Sequence, residues 1–132
     1  MGIHESGEMY LETILLLTKR NGSVRSVDIA AELSYSKPSV SRAMNILKKN
    51  GFITVEKPGY IFLTKMGEQR AEEIHSRHEL ITAFLSSTLG VDKELAERDA
   101  CRIEHVVSTE IVAAMRAYMA ANVDALAVDM TA

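Results

Sequence analysis

One stretch, "SVDIAAELSYSKPSVSRAMNILKKNGFITVEKPGYIFLT" at residues 26–64, constrains the fold more than any other part of the chain. Val27, Ile29, Ala30 and Leu33 recur at helical spacing, which predicts a short helix over 26–33. The polar run at 34–36 breaks it. Pro38 then suits the first turn of a second helix, where its missing N–H is not needed. That helix runs through "SVSRAMNILKKN" and ends at Gly51, a residue suited to a C-terminal cap. Two β-rich runs, 52–55 and 60–63, flank Pro58-Gly59 and predict a hairpin.

A helix over 5–19, opened near Ser6, precedes this unit, with Tyr10, Ile14 and Leu17 as its core stripe and a turn at 21–23. Three helices are predicted after it: 65–89, ended by Gly90, then 93–108, then 109–121. The tail "DALAVDMTA" is expected to fray. The fold class is therefore mainly α with a small β-hairpin. Helix, tight turn, helix and hairpin, preceded by another helix, is the order of a winged helix-turn-helix. The expected division is a winged helix-turn-helix DNA-binding domain at 1–66 and a helical domain at 67–132. Ile111, Val112, Met115 and Met119 offer more apolar surface than so short a domain covers alone, which points to a homodimer.

Charge agrees with a polyanion partner for the first half. Residues 1–66 carry nine Lys/Arg against six Asp/Glu, whereas residues 67–132 carry six against twelve. The early turns of the second short helix present Ser36, Lys37, Pro38, Ser39, Ser41 and Arg42, with hydroxyls and cations able to meet phosphates or base edges of double-stranded DNA. Arg42 is the candidate for direct base reading, because a guanidinium pairs bidentately with guanine. Val40, Met44 and Leu47 would dock the helix. Lys48, Lys49 and Lys57 would add salt-sensitive affinity. A plain helical hairpin is the alternative, but the β-hairpin and the positive charge favour DNA binding. No apolar run approaches a membrane span, and the single cysteine suits a reducing cytoplasm.

"DACRIEHVVS" at 99–108 holds that cysteine. If the predicted helix continues to 108, Glu97, Cys101, Glu104, His105 and Ser108 share about a third of its circumference. Ala100, Ile103, Val107 and Ile111 gather on another side, the natural core face. Thiolate, carboxylate and imidazole spaced in this way can converge on one transition-metal ion. On the long helix, His78 interrupts the apolar stripe of Ala71, Ile74, Ile81 and Leu85. Such a histidine is either a hydrogen-bonded core residue or a ligand, and the neighbouring ligand types favour the second. On pattern alone Met9 reads as core and Glu12 as surface, while His4 and His75 read as solvent-facing.

With these residues in hand, the chain resembles the diphtheria toxin repressor and manganese transport regulator family of metal-dependent transcriptional regulators. The stretches that carry the resemblance are "EMYLETI", "DIAAELSYSKPSVSRAMNIL", "GFI", "LTKMGEQRA", "RHELITAFL" and "DACRIEHVVS". The resemblance implies a winged helix followed by a helical dimerisation domain, with a divalent ion favouring the form that binds operator DNA and represses metal-uptake genes. It implies that Met9, Cys101, Glu104 and His105 form the DNA-activating metal site. His78 corresponds to a ligand of a neighbouring second site, and Glu12 to a carboxylate of the manganese-sensing branch. The sequence departs from both branches. Manganese sensors have carboxylates where this chain has Met9 and Cys101, whereas iron sensors have a histidine at Glu97 and a glutamate at Thr82. The resemblance also implies a short form without the SH3-like third domain of the longer iron sensors.

Thioether and thiolate make the site soft, and Mn²⁺ is hard and low in the affinity series. The expected cofactor is therefore Fe²⁺, with Mn²⁺ the second choice, and Co²⁺, Ni²⁺ and Zn²⁺ binding in vitro. Two other readings compete. In one, a winged-helix regulator answers a small organic ligand or is constitutive. In the other, a small metalloenzyme works around Cys101, Glu104 and His105. The sequence offers no separate nucleophile, general base or Gly-rich substrate loop, which counts against an enzyme.

Overall fold

A computed structural model describes residues 5–122 of the 132. His4 and the tail "DALAVDMTA" lie outside the described residues. The elements are α1 (Glu5–Asn21), α2 (Ser26–Leu33), α3 (Lys37–Lys49), β1 (Ile53–Glu56), β2 (Tyr60–Leu63), α4 (Lys65–Leu89), α5 (Lys93–Ile103) and α6 (Thr109–Ala121). The chain is mainly helical with one small antiparallel hairpin. It divides into two compact units, the first ending at Ile74 and the second beginning at His75, so the boundary falls within α4.

The first unit is built from local stop and start signals around one core. Ser34 closes α2 in the left-handed region, with φ 58°. Ser36 caps α3 by accepting from the Ser39 amide at 3.3 Å, and Pro38 occupies the first turn. Gly51 leaves α3 with φ +81°. The hairpin pairs Ile53 with Leu63 and Glu56 with Tyr60. Tyr10, Ile14, Leu17, Ile29, Val40, Met44, Leu47, Phe52, Ile53 and Ile61 are buried in a shared core. Val27 does not join them: it is exposed because it lies about 200° around α2 from Ile29.

Where α4 begins, the backbone packs too closely for any side chain. A Cβ on Gly67 would stand 1.9 Å from the Phe52 carbonyl oxygen. Thr64 fastens the same junction: its hydroxyl donates to the Gly51 carbonyl at 2.6 Å and accepts from the Gly67 amide at 3.1 Å.

In the second unit, Asp92 caps α5 by accepting from the Leu95 amide at 2.9 Å. The helix expected to continue to Ser108 stops at Ile103 instead. Ser108 is the N-cap of α6, with an extended backbone and its hydroxyl accepting from the Ile111 amide at 3.1 Å. A residue so placed cannot also continue α5. The intervening chain tightens, with the His105 amide on Arg102 O at 3.4 Å and the Val106 amide on Ile103 O at 3.0 Å. The α5 periodicity therefore does not carry into α6. Ile111, assigned to the core face, is exposed, and Val112 is buried in its place. Met115 and Met119 are half-buried, and Tyr118 is exposed.

Candidate metal centre

The end of α5 builds the centre. Glu104, the C-cap, is 0% exposed, although the sequence pattern put it on a polar stripe. Its Oε2 lies 3.2 Å from His78 Nδ1, and its Oε1 lies 3.3 Å from His105 Nε2. Burial pushes this carboxyl up, but His105 and His78 against its two oxygens outweigh burial and hold it below the usual carboxylate range. The site is therefore arranged around a buried anion. Two contacts fix the frame: Arg77 donates to the Glu104 carbonyl at 3.3 Å, and Arg116 donates to Ser76 Oγ at 3.1 Å.

Cys101 stands one turn before Glu104 on α5 and is exposed. His78, Cys101 and Glu104 each offer one ligand atom, and these three atoms lie within 4.8 Å of one another. An ion with bonds of about 2.0–2.3 Å sets its ligand atoms about 3–4.6 Å apart, so the spacing is of the right size. Imidazole, thiolate and carboxylate on a buried anionic centre are a donor set for a divalent transition metal. The residues present fit the ion.

The remaining predicted residues are placed as follows. His105 reaches the same centre through Glu104 Oε1. His78 stands with Cys101 and Glu104, whereas the resemblance assigned it to a neighbouring second site. Thr82 is buried and Glu97 exposed; both line a cleft with His78, Glu79, Ser86 and Lys93, and Lys93 Nζ lies 4.0 Å from Glu97. Met9 and Glu12 belong to the first unit, on α1. Met9 is half-buried rather than core, and Glu12 is buried rather than on the surface. His75, expected to face solvent, is half-buried, with its ring stacked near that of His78 at 6.4 Å.

In the first unit α3 exposes Ser36, Lys37, Pro38, Ser41 and Arg42, while Ser39 is half-buried. The buried residues of α3 are Val40, Met44 and Leu47, as the docking face required. Ser36 Oγ and Ser39 Oγ are 2.9 Å apart, and Arg42 Nη2 is 3.5 Å from Ser39 Oγ. Lys48, Lys49 and Lys57 are exposed.

Residues 3–59 match the N-terminal DNA-binding domain of the iron-dependent repressors, and residues 64–122 match their metal-binding and dimerisation domain. The transcriptional regulator MntR of Escherichia coli is 39% identical over 109 residues, covering 83% of this chain and 70% of that protein. The chain belongs to the iron-dependent repressor family. This is a family of transcriptional regulators, not of enzymes. The diphtheria toxin repressor of Corynebacterium diphtheriae is 30% identical over 107 residues, covering 81% of this chain and 47% of that protein. The structure of the manganese regulator SloR superposes with a TM-score of 0.75 at 29% identity, covering 90% of this chain and 54% of that one. The chain thus spans about half the length of SloR. No described helix is long and apolar enough to cross a membrane.

Proposed function

We propose that this chain is a cytoplasmic metal-dependent transcriptional repressor that binds double-stranded operator DNA as a homodimer when loaded with a divalent ion, and so controls metal-uptake genes. The observation that carries the reading is the convergence of His78 and Cys101 on the buried Glu104 carboxylate. Residues 1–66 would contact DNA through Ser36, Lys37, Pro38, Ser39, Ser41 and Arg42. Residues 67–132 would hold the ion and the dimer contacts.

When bound, the ion supplies positive charge and directional bonds to ligands from more than one helix. His78, Cys101, Glu104 and His105 would hold it, and Met9 and Glu12 would add ligands from α1. Linkage sets the requirement: the ion promotes DNA binding only by its higher affinity for the DNA-competent form. Ligands drawn from α1, which packs in the same core as the recognition helix α3, provide that difference.

Fe²⁺ is the first choice of ion, because Met9 and Cys101 are soft donors, and Mn²⁺ is the second. The relative SloR is described as a manganese regulator, which keeps Mn²⁺ in the comparison. Anaerobic fluorescence anisotropy of a labelled duplex from upstream of the chain's own gene, at fixed salt, separates the readings. Binding that requires metal and appears at lower free Fe²⁺ than Mn²⁺ supports the proposal. Binding indifferent to a chelator refutes the metal switch and leaves a winged-helix regulator of another kind.

A further inference from the structure

The first unit contains a contact that the DNA-reading and metal-binding assignments leave unused. The Tyr35 hydroxyl donates to Met9 Sδ at 3.8 Å. Tyr35 sits in the turn between α2 and α3, directly before Ser36, the cap of the recognition helix. Three features hold it there. The left-handed Ser34 turns the chain, the Tyr35 amide donates to Ala30 O at 3.1 Å, and the ring meets Tyr10 edge-on at 6.1 Å between centroids. From Tyr35 the contacts continue through Ser36 and Ser39 to Arg42. Met9 is thus linked to the residue best suited to read a base.

We propose that Tyr35 is a positioning residue for Met9: its hydroxyl holds the thioether in the metal-free form, and coordination of that sulfur breaks the contact at the cap of the recognition helix. This rests on the reading of Met9 as a ligand. The physical reason is competition for one pool of electron density. A thioether is a weak hydrogen-bond acceptor, and a sulfur that donates to a divalent cation becomes weaker still. Hydrogen bond and metal bond are therefore antagonistic. An interaction made only in the metal-free form opposes metal binding by its own free energy.

The consequence runs opposite to what simple damage would do. Tyr35→Phe removes the hydroxyl and keeps the ring against Tyr10, so it should bind metal more tightly. For a hydrogen bond at the weak end of the usual range the gain is about three-fold. Mn²⁺ affinity, measured on the DNA-free protein by competition with a fluorescent chelator, is compared in the wild type, Tyr35→Phe, Met9→Leu and the double variant. The expected result is tighter binding in Tyr35→Phe, weaker binding in Met9→Leu, and no effect of Tyr35→Phe once Met9 is leucine. Unchanged or weaker binding in Tyr35→Phe overturns the proposal, as does the same gain in the Met9→Leu background. If Met9→Leu itself leaves Mn²⁺ affinity unchanged, the proposal also falls, and the fault lies in the assignment of Met9 as a ligand.

Discussion

Replacing Glu104 by glutamine separates a structural carboxylate from a metal-binding one. The side chain is fully buried, with imidazole nitrogens at 3.2 and 3.3 Å. In the metal-free protein two effects oppose each other. A protonated imidazole about 3.3 Å away attracts the carboxylate by about 5 kcal/mol at an effective dielectric of about 20. Desolvating the buried charge costs several kcal/mol in the other direction. The near balance predicts that Glu104→Gln, which keeps the shape, changes metal-free stability by no more than about 1–2 kcal/mol. With metal the balance disappears, because the lost charge is the centre's buried anion. Removing an outer partner of a metal ligand already costs about 10- to 100-fold in affinity, so loss of this carboxylate should cost at least about 100-fold.

That loss converts into stability by mass action. At free metal of about 1,000 times the wild-type Kd, the wild type gains about 4.1 kcal/mol. The variant at the same metal concentration stands at about 10 times its own Kd and gains only about 1.4 kcal/mol. Anaerobic urea unfolding followed by circular dichroism, at fixed free Fe²⁺ or with chelator, reads both numbers. Equal metal-induced gains in wild type and Glu104→Gln would refute the reasoning. So would a metal-free variant that does not fold.

Further outcomes are expected from the same structure. Cys101→Ala should lose metal-activated DNA binding in the anisotropy assay while its circular dichroism spectrum stays that of the wild type, since Cys101 is exposed and outside the core; normal activation would contradict its role as ligand. Arg42→Ala should cost about 1–3 kcal/mol and relax specificity at one base pair, whereas Lys49→Ala should weaken all sequences alike and flatten the salt dependence. If the two variants behaved identically across operator mutants, the division into reading and anchoring residues would fail. Gly67→Ala forces a Cβ against the Phe52 carbonyl and should lower stability in chemical denaturation by about 1–3 kcal/mol or more; an unchanged midpoint would contradict the packing at the start of α4.

The winged-helix part was legible because its signals are local. Pro38, Gly51 and Pro58-Gly59 mark turns in the sequence itself, and the α3 face of Val40, Met44 and Leu47 is buried as the period demands. The centre was legible in composition more than in geometry. Cys101, Glu104 and His105 could be picked out by type, but the helix face that grouped them ends at Ile103. What brings them to His78 is the turn forced by the α6 cap at Ser108, a competition between two helices that the periodicity of one does not register. The burial of Glu12 and Glu104 was hidden for a related reason: carboxylates read as surface until the tertiary fold encloses them. Tyr35 gave no signal at all, because its contact with Met9 joins residues 26 positions apart through a single hydroxyl.

The central claim is that Cys101 and its neighbours hold the ion. X-ray absorption at the iron edge of the anaerobically Fe²⁺-loaded protein tests it most directly. The account predicts a sulfur neighbour at about 2.3 Å, the length of a metal–thiolate bond, together with nitrogen and oxygen neighbours, and loss of that sulfur in Cys101→Ala. A wild-type spectrum with nitrogen and oxygen neighbours alone would contradict it.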